Sequence, residues 1–459
     1  MNQISSFPHL FYDGSSSSSS SSQALSSLSL PSDLIVQDFA VVMIIAAIML
    51  VITYKLKQPM VLGYIIAGMI IGPYTPPFSL ISNIETVNVL AELGIIMLLF
   101  VVGTEFPIAK LRSVGKISII VALAESLGTL SIIFFVCQSL RFPFFDSIFL
   151  ALAMSIASTV VTVKILEDLN IIRDNSSTLI LGILIIEDVI AVSALAILQS
   201  VAAGAAAGGG ITDAIRGEFS VLKVSISLAI SGAFIGSILI LGSKFVPKII
   251  LDRIGKTNDY ELLLIVILGL AFGLAFAAKI LGLSVVIGAF LAGVLVAESK
   301  SAAVAKVVTI PLRDVFSALF FISIGALMDI SRIPLFIVPA IVLILTSFVS
   351  KLIIVIGTLT IKSKIDVTTA LRTGLAVSAS KGEMSLIIGK GGQDVGAITL
   401  TVLPILGVVT IVTTFMAPYI IKLGNKVKIS LPSSSSPPQS SSPSESNSNN
   451  QHNTKDFDE

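Results

Sequence analysis

The sequence predicts an all-α protein that crosses a membrane many times. Apolar residues make up 54% of the chain and charged residues 12%, and the mean hydropathy is +0.99. A soluble domain would carry about 25% charged residues. Because lipid satisfies no backbone polar group, and because the loops are too short for barrel hairpins, the spanning segments must be helical. The fold class is therefore an all-α polytopic membrane protein.

Hydropathy and loop signals together predict thirteen transmembrane helices. Most are about 20 residues long, which matches a hydrocarbon core of about 30 Å, while the second and the ninth are short. The predicted limits are 34–54, 59–73, 85–106, 117–138, 145–166, 178–201, 220–243, 259–278, 281–298, 312–329, 334–360, 367–389 and 396–421.

The two ends of the chain are rich in serine and low in complexity. Such segments cannot bury enough apolar surface to fold, so we expect disordered tails over 1–33 and 430–459 around a transmembrane domain over 34–429. Lysine and arginine concentrate in alternate loops, on the side that also holds the C-terminus. The positive-inside rule then predicts a cytoplasmic C-terminus and an extracellular N-terminus, in the cell membrane.

Composition excludes several kinds of function. A net charge of +1 gives no sign of a nucleic-acid partner. Cys137 is the one cysteine, and both histidines, His9 and His452, lie in the polar tails, which argues against a disulfide or a resident metal centre. No nucleophile–base pair or phosphate-binding loop is present. We therefore expect neither an enzyme nor a cofactor.

Two adjacent acids, Glu187 and Asp188, stand at the centre of the sixth predicted span. An ionised carboxylate in mid-membrane costs about 2.5–3.5 kcal/mol, and intramembrane acids usually mark ion or proton pathways. Adjacent helical residues project about 100° apart. One acid can therefore line an aqueous cavity while the other reaches a neighbouring helix. The alternative is a structural ion pair.

Two further charged residues lie deep in predicted spans. Lys351, in the eleventh span, needs a carboxylate partner, and Glu187 is the obvious candidate. The alternative is a lysine that is paired only for packing. Glu125, in the fourth span, is either a further proton site or a hydrogen-bonding residue between helices, and the sequence leaves both open.

Polar residues also interrupt the fifth and the twelfth spans. The fifth carries Ser155, Ser158, Thr159 and Thr162, and the twelfth carries Ser378, Ser380, Lys381, Gly382 and Glu383. Hydroxyls in membrane helices often bond to their own backbone, and Lys381 could lie near an interface. Because an acid pair lies in the sixth span, however, we predict that both spans are unwound helices at a cation site. Their matching places within spans 2–6 and 9–13 predict inverted-topology repeats.

Four stretches resemble the second family of monovalent cation:proton antiporters, in its Kef-like branch. They are QPMVLGYIIAGMIIGP, AELGIIMLLFVVGTEF, LFFISIGALMDI and LRTGLAVSASKGEMSLII. The resemblance covers residues 34–429. It implies thirteen helices in two domains, a homodimer, two crossed broken helices and a role in pH homeostasis.

The resemblance also implies roles for single residues. The cation would bind at the second acid, Asp188, and the first acid, Glu187, would pair with Lys351. Kef-like potassium proteins commonly carry Gln-Asp at the acid pair and several sodium antiporters carry Asp-Asp, so Glu187-Asp188 fits neither pattern.

From these residues we expect a secondary active antiporter that exchanges Na+ or K+ for protons. Asp188, helped by Ser158, Thr159 and unwound carbonyls, would hold either a cation or a proton. Ser155, Glu125, Ser380, Lys381 and Glu383 are possible accessory residues. A cation channel and an inverted-repeat symporter for another solute are the alternatives. A channel would need repeated coordinating rings, whereas this chain has one concentrated midplane cluster.

Overall fold

The computed structural model describes residues 32–75, 80–81, 83–105, 115–172, 174–209, 221–242, 245–255, 259–329, 333–363 and 365–426. Within these ranges the chain forms helices and connecting turns, without a β-strand. The all-α fold class is therefore confirmed. The predicted tails lie outside the described residues, except that 32 and 33 begin the first helix.

The first half of the chain forms eight helices. Their bounds are α1 Ser32–Leu56, α2 Met60–Ile71, α3 Ile84–Thr104, α4 Lys116–Ser139, α5 Phe144–Ser155, α6 Thr159–Asp168, α7 Asn175–Gly209 and α8 Val221–Ser237. π-helical segments follow α8 at Ile238–Gly242 and Val246–Leu251.

The second half forms seven more helices of this kind. Their bounds are α9 Tyr260–Ile280, α10 Val285–Ala297, α11 Ala302–Ala326, α12 Ile333–Ser363, α13 Val367–Ser378, α14 Glu383–Asp394 and α15 Val402–Lys426. Polar side chains begin several of them. Asp259, for example, accepts hydrogen bonds from the N–H groups of Glu261 and Leu262 at 3.1 and 3.0 Å.

Each of the thirteen predicted spans overlaps a helix or a pair of consecutive helices. Within the described ranges, nine continuous or nearly continuous segments are long and apolar enough to cross a membrane. The second and the ninth predicted spans are indeed short, as α2 and α10 have 12 and 13 residues. The number of crossings, thirteen, stays a prediction.

The predicted limits of the tenth span are wrong. The span was expected over 312–329, but α11 begins at Ala302 and contains both Lys306 and Arg313. Lysine and arginine lower the hydropathy and so end a predicted span. They are nevertheless good helix formers, so they do not end the helix itself. The helix therefore continues beyond the apolar part of its sequence.

The two halves repeat the same order of helices. The first runs from short α2 through α3 and α4 to the pair α5–α6 and then α7. The second runs from short α10 through α11 and α12 to the pair α13–α14 and then α15. The interrupted helix thus holds the fourth place in each predicted repeat.

Glycines allow α2, α3, α10 and α11 to approach one another closely. We call this contact the small-residue interface, and its glycines are Gly68, Gly94, Gly103, Gly293 and Gly325. A Cβ atom on Gly293 would lie 2.8 Å from the Cα atom of Gly103, and one on Gly94 would lie 2.7 Å from the carbonyl oxygen of Phe316. Such close backbone contact is typical of membrane helices.

The interrupted helices pack among the remaining helices. α4 lies against α5, α7 and α12, and α13 lies against α7, α12 and α15. This arrangement surrounds both interruptions with protein, and it brings the charged residues of α4, α7 and α12 toward them.

Candidate functional site

The first interruption separates α5 from α6. α5 ends at Ser155, and residues 156–158 are extended, with φ −102° and ψ 138° at Ile156. Ser158 then begins α6, and its hydroxyl accepts a hydrogen bond from the N–H of Val161 at 3.3 Å. A serine at this position supplies the acceptor that the first turn of a helix lacks.

The second interruption, residues 379–382, separates α13 from α14. The backbone groups of Lys381, within this interruption, are bound by α15. The N–H of Lys381 donates to the hydroxyl of Thr413 at 3.0 Å, and the hydroxyl of Thr414 donates to the carbonyl of Lys381 at 3.0 Å. Two threonines thus replace the intrahelical hydrogen bonds that unwinding removes.

The two interruptions meet, and we call residues 156–158 and 379–382 the crossing. The N–H of Ser158 donates to the carbonyl of Ser380 at 3.1 Å. A Cβ atom on Gly382 would lie 2.5 Å from the Cβ of Ser158, so only glycine allows this approach. The predicted pair of crossed broken helices is confirmed.

Asp188 lies beside the crossing, and α6 holds one of its oxygens. The hydroxyl of Thr159 donates to Oδ2 of Asp188 at 2.8 Å. The other oxygen, Oδ1, is buried and has no hydrogen-bond partner among the described residues. The side chain retains 8% of its exposure, whereas Glu187 retains none. Asp188 therefore offers one buried carboxylate oxygen that has no hydrogen-bond partner among the described residues.

Ser158 contacts a residue other than Asp188. Its hydroxyl donates to Oε2 of Glu383 at 3.1 Å, across the crossing. The sequence predicts that Ser158 helps Asp188 to hold the ion, whereas the crossing turns the hydroxyl of Ser158 toward Glu383 at the start of α14. Ser158 is thus a link between two broken helices.

Glu187 points away from the position of Asp188, toward the backbone and a lysine. Its Oε2 atom accepts a hydrogen bond from the N–H of Ala157 at 2.8 Å and another from Nζ of Lys351 at 3.1 Å. The predicted contact between Lys351 and Glu187 is present. Glu187 also binds a backbone N–H at the first interruption, a role that the sequence did not predict.

Glu125 completes an ion-paired cluster of three residues. Its Oε1 atom lies 2.9 Å from Nζ of Lys351, and the side chains of Glu125, Glu187 and Lys351 are all fully buried. We call these three residues the buried triad. The sequence left the role of Glu125 open. In the structure, its carboxylate contacts Lys351 and not Asp188.

The remaining candidates take different positions. The hydroxyl of Ser155 donates to the carbonyl of Leu152 at 2.8 Å, so it bonds to its own helix. Lys381 is 1% exposed, and its Nζ atom has no hydrogen-bond partner among the described residues, so its side chain is buried within the protein. The hydroxyl of Ser380 is likewise buried without a partner there.

A polar cavity of about 680 Å³ lies apart from the crossing. Its lining includes Asn88, Lys279 and Lys390. Lys390, one residue beyond the predicted twelfth span, is 5% exposed within α14 and contacts Asp394 at 2.5 Å. An amphipathic helix can continue past the end of its apolar segment, which explains the difference.

Comparison with known proteins decides the family. The family model described as "Sodium/hydrogen exchanger, transmembrane" matches residues 41–423. The chain belongs to this family. All of the candidate site residues named above lie inside the matched range, and the chain is an integral membrane protein.

Individual relatives agree with this membership. The chain is 33% identical over 290 residues to the putative cation/proton antiporter YbaL of Escherichia coli, covering 62% of this chain and 50% of YbaL. It is 27% identical over 410 residues to the K+/H+ antiporter subunit KhtU of Bacillus subtilis, covering 86% of this chain and 95% of KhtU. The chain thus spans about half the length of YbaL but nearly all of KhtU.

A solved structure shares the fold. The sodium proton antiporter MjNhaP1 of Methanocaldococcus jannaschii superposes with a TM-score of 0.63 at 18% identity, covering 85% of this chain and 98% of MjNhaP1. This likeness concerns the fold.

Proposed function

We propose that this exchanger is a secondary active antiporter that moves a monovalent cation, Na+ or K+, against protons. Asp188 would be the group for which the cation and the proton compete. The transport would follow alternating access, in which the loaded site opens to one side of the membrane and then to the other. On this proposal the protein is a transporter and not an enzyme.

The free oxygen of Asp188 is the observation that supports this proposal most. Oδ2 is held by Thr159, while Oδ1 has no hydrogen-bond partner among the described residues. A carboxylate oxygen in that position can take a proton or become a ligand of a hard monovalent cation. Because an unloaded charge is costly to move through a membrane protein, the site would move only when it is loaded, which couples the two fluxes.

Glu187 is a poorer candidate for the exchange group. Its Oε2 atom already accepts hydrogen bonds from Ala157 and Lys351, and the side chain is fully buried. We therefore assign Glu187 to the support of the first interruption, and Asp188 to the transported ions.

The interruptions support alternating access on physical grounds. They are joined by a backbone hydrogen bond between Ser158 and Ser380, and α6 begins with Thr159, which contacts Asp188. Non-helical backbone at membrane depth is tolerated where it lines a site and is buried in protein. Short helices that end at the site can shift relative to neighbouring helices without unwinding any further.

The choice between Na+ and K+ is open on this proposal. MjNhaP1 is named as a sodium proton antiporter and KhtU as a K+/H+ antiporter subunit, so both ions occur among proteins similar to this one. A titration of proton release with Na+, K+ and Li+ on the purified protein would identify the preferred ion.

The decisive experiment is Asp188→Asn in proteoliposomes that contain a pH-sensitive dye. The variant keeps the shape of the side chain but cannot ionise, so we expect cation-driven proton flux to fall to the level of empty vesicles. Glu167→Asn, at an exposed acid of α6, is the control and should behave like the wild type. Normal flux in Asp188→Asn would contradict the assignment, and single-channel currents would favour a channel.

Orientation and assembly form a separate part of the proposal. The distribution of lysine and arginine supports an extracellular N-terminus and a cytoplasmic C-terminus in the plasma membrane. The resemblance to the Kef-like proteins supports a homodimer. Protease protection of tagged ends, and cross-linking in membranes, would test these two predictions.

A further inference from the structure

One lysine and two carboxylates form the buried triad. Lys351 lies close to the middle of α12, and its Nζ atom is 2.9 Å from Oε1 of Glu125 on α4 and 3.1 Å from Oε2 of Glu187 on α7. All three side chains are fully buried. A single ammonium group therefore faces two acids from two different helices.

The geometry makes loss of a proton from Lys351 unfavourable. A neutral amine would leave Glu125 and Glu187 side by side without a contacting cation, and like charges at short range in a medium of low dielectric constant repel strongly. Movement of the lysine toward another partner is also restricted. Glu187 is held at the first interruption by the N–H of Ala157, 2.8 Å from the same oxygen that Lys351 contacts.

A second cation that faces the triad, Lys381, does not replace Lys351. Lys381, at the second interruption, interacts electrostatically with Lys351, Glu125 and Glu187. It forms no hydrogen bond through Nζ to any described residue. Lys351, in contrast, contacts both carboxylates directly, so it is the cation that offsets part of the negative charge of the triad.

Glu125 is what makes this arrangement differ from a simple pair. With Glu187 as its only partner, Lys351 would be released whenever Glu187 took a proton or turned toward a bound cation. With Glu125 present, the ammonium keeps a carboxylate contact at 2.9 Å even then. The second acid therefore separates the charge of Lys351 from events at Asp188.

We propose that Glu125 is a positioning residue that, with Glu187, holds Lys351 as a fixed positive charge throughout the transport cycle, so that Lys351 does not carry an exchanged proton. This inference rests on the proposed antiport at Asp188. It concerns which groups supply the protons, and not whether the protein exchanges ions.

The experiment measures two quantities in proteoliposomes. The first is the number of protons exchanged per cation, which is obtained from the reversal potential, and the second is the pH profile of transport. The variants are Glu125→Gln, Glu125→Asp and Lys351→Arg. The exposed acid Glu167, changed to Gln, serves as the matched control. Folding of each variant is checked by size-exclusion chromatography before reconstitution.

The proposal predicts a distinct result for each variant. Lys351→Arg, whose guanidinium is always charged, retains transport with the wild-type number of protons per cation. Glu125→Gln leaves Lys351 with one acid, so its proton becomes exchangeable, the pH profile shifts and the proton number rises by up to one. Glu125→Asp and Glu167→Gln keep the wild-type values.

Two results would overturn the proposal. A folded Glu125→Gln protein with the wild-type proton number and pH profile would reduce Glu125 to a structural role. A folded Lys351→Arg protein that loses cation-driven proton flux, or exchanges one proton fewer, would make Lys351 a proton carrier. Each variant decides the matter alone if the other fails to fold. A wild-type protein that exchanges no ions would overturn the proposed function as well.

Discussion

The crossing and the small-residue interface hold their helices together in opposite ways. At the crossing, and at the buried triad that contacts it through Glu187 and Ala157, helices are joined by polar contacts. Examples are the backbone hydrogen bond from Ser158 to Ser380 and the ion pairs of Lys351. At the small-residue interface, glycines such as Gly103 and Gly293 bring backbones together with no room for another atom. The first contact depends on charge and the second depends on shape.

This difference indicates which part of the molecule can change during transport. Close backbone packing has few alternative arrangements, because interiors at native density do not deform continuously. Polar partners at the crossing can instead be exchanged for an ion or a proton. Substitutions that remove charge should therefore act on the crossing, and substitutions that add volume should act on the small-residue interface.

The largest effect is expected from Lys351→Met. The change removes charge but preserves much of the volume, and it leaves Glu125 and Glu187 buried without their cation. Breaking a buried ion pair in this way costs about 3–5 kcal/mol, so we expect a large loss of thermal stability in detergent, measured by size-exclusion melting curves. Lys164→Met, at an exposed pair with Asp168, is the control and should melt like the wild type. Equal melting temperatures for both variants would contradict the dependence of the buried triad on charge.

A smaller effect is expected from Gly293→Val at the small-residue interface. The new side chain would meet backbone atoms of α3, which cannot rotate away, and overpacking of this kind costs about 1–3 kcal/mol. Gly357→Ala, on α12 where a Cβ atom meets nothing within 4 Å, is the matched control and should be neutral or stabilising. If the Gly293→Val and Gly357→Ala variants have the same melting temperature, the small-residue interface does not depend on shape as we propose.

Thr159→Val tests the polar contact nearest to the proposed exchange group. The substitution keeps the shape but removes the hydroxyl that donates to Asp188 at 2.8 Å. Hydrogen bonds to charged groups are worth about 1.5–3 kcal/mol, so the KM for the cation should rise by roughly tenfold or more. Thr159→Ser, which retains the hydroxyl, should stay close to the wild type. An unchanged KM in Thr159→Val would remove Thr159 from the site.

The smallest effect is expected from Ser155→Ala. The hydroxyl of Ser155 bonds to the carbonyl of Leu152 in its own helix, and such bonds add little to stability. Transport and melting temperature should both stay near the wild-type values. A clear loss of transport would show that Ser155 acts in the cycle despite its contact with its own backbone.

The sequence predicted the charged members of the site because each of them is costly in a membrane. Glu187, Asp188 and Lys351 stand out in apolar spans, and the contact of Glu187 with Lys351 followed from the need to pair a buried lysine. Thr413 and Thr414 gave no such signal, since threonine in a membrane helix usually bonds to its own backbone. Their role at the second interruption became apparent only from the packing of α15.

The all-α class, the two interrupted helices and the acid pair follow from the sequence itself, because each depends on local hydropathy or on the cost of a single polar residue. The partners depend on residues that are far apart in the chain. Lys351 and Glu187 are separated by 164 positions, and Ser158 and Glu383 by 225. Only the tertiary structure could show that Glu125 contacts Lys351 and that Ser158 contacts Glu383. Hydropathy indicates how deep a residue lies in the membrane, and not which helix it faces.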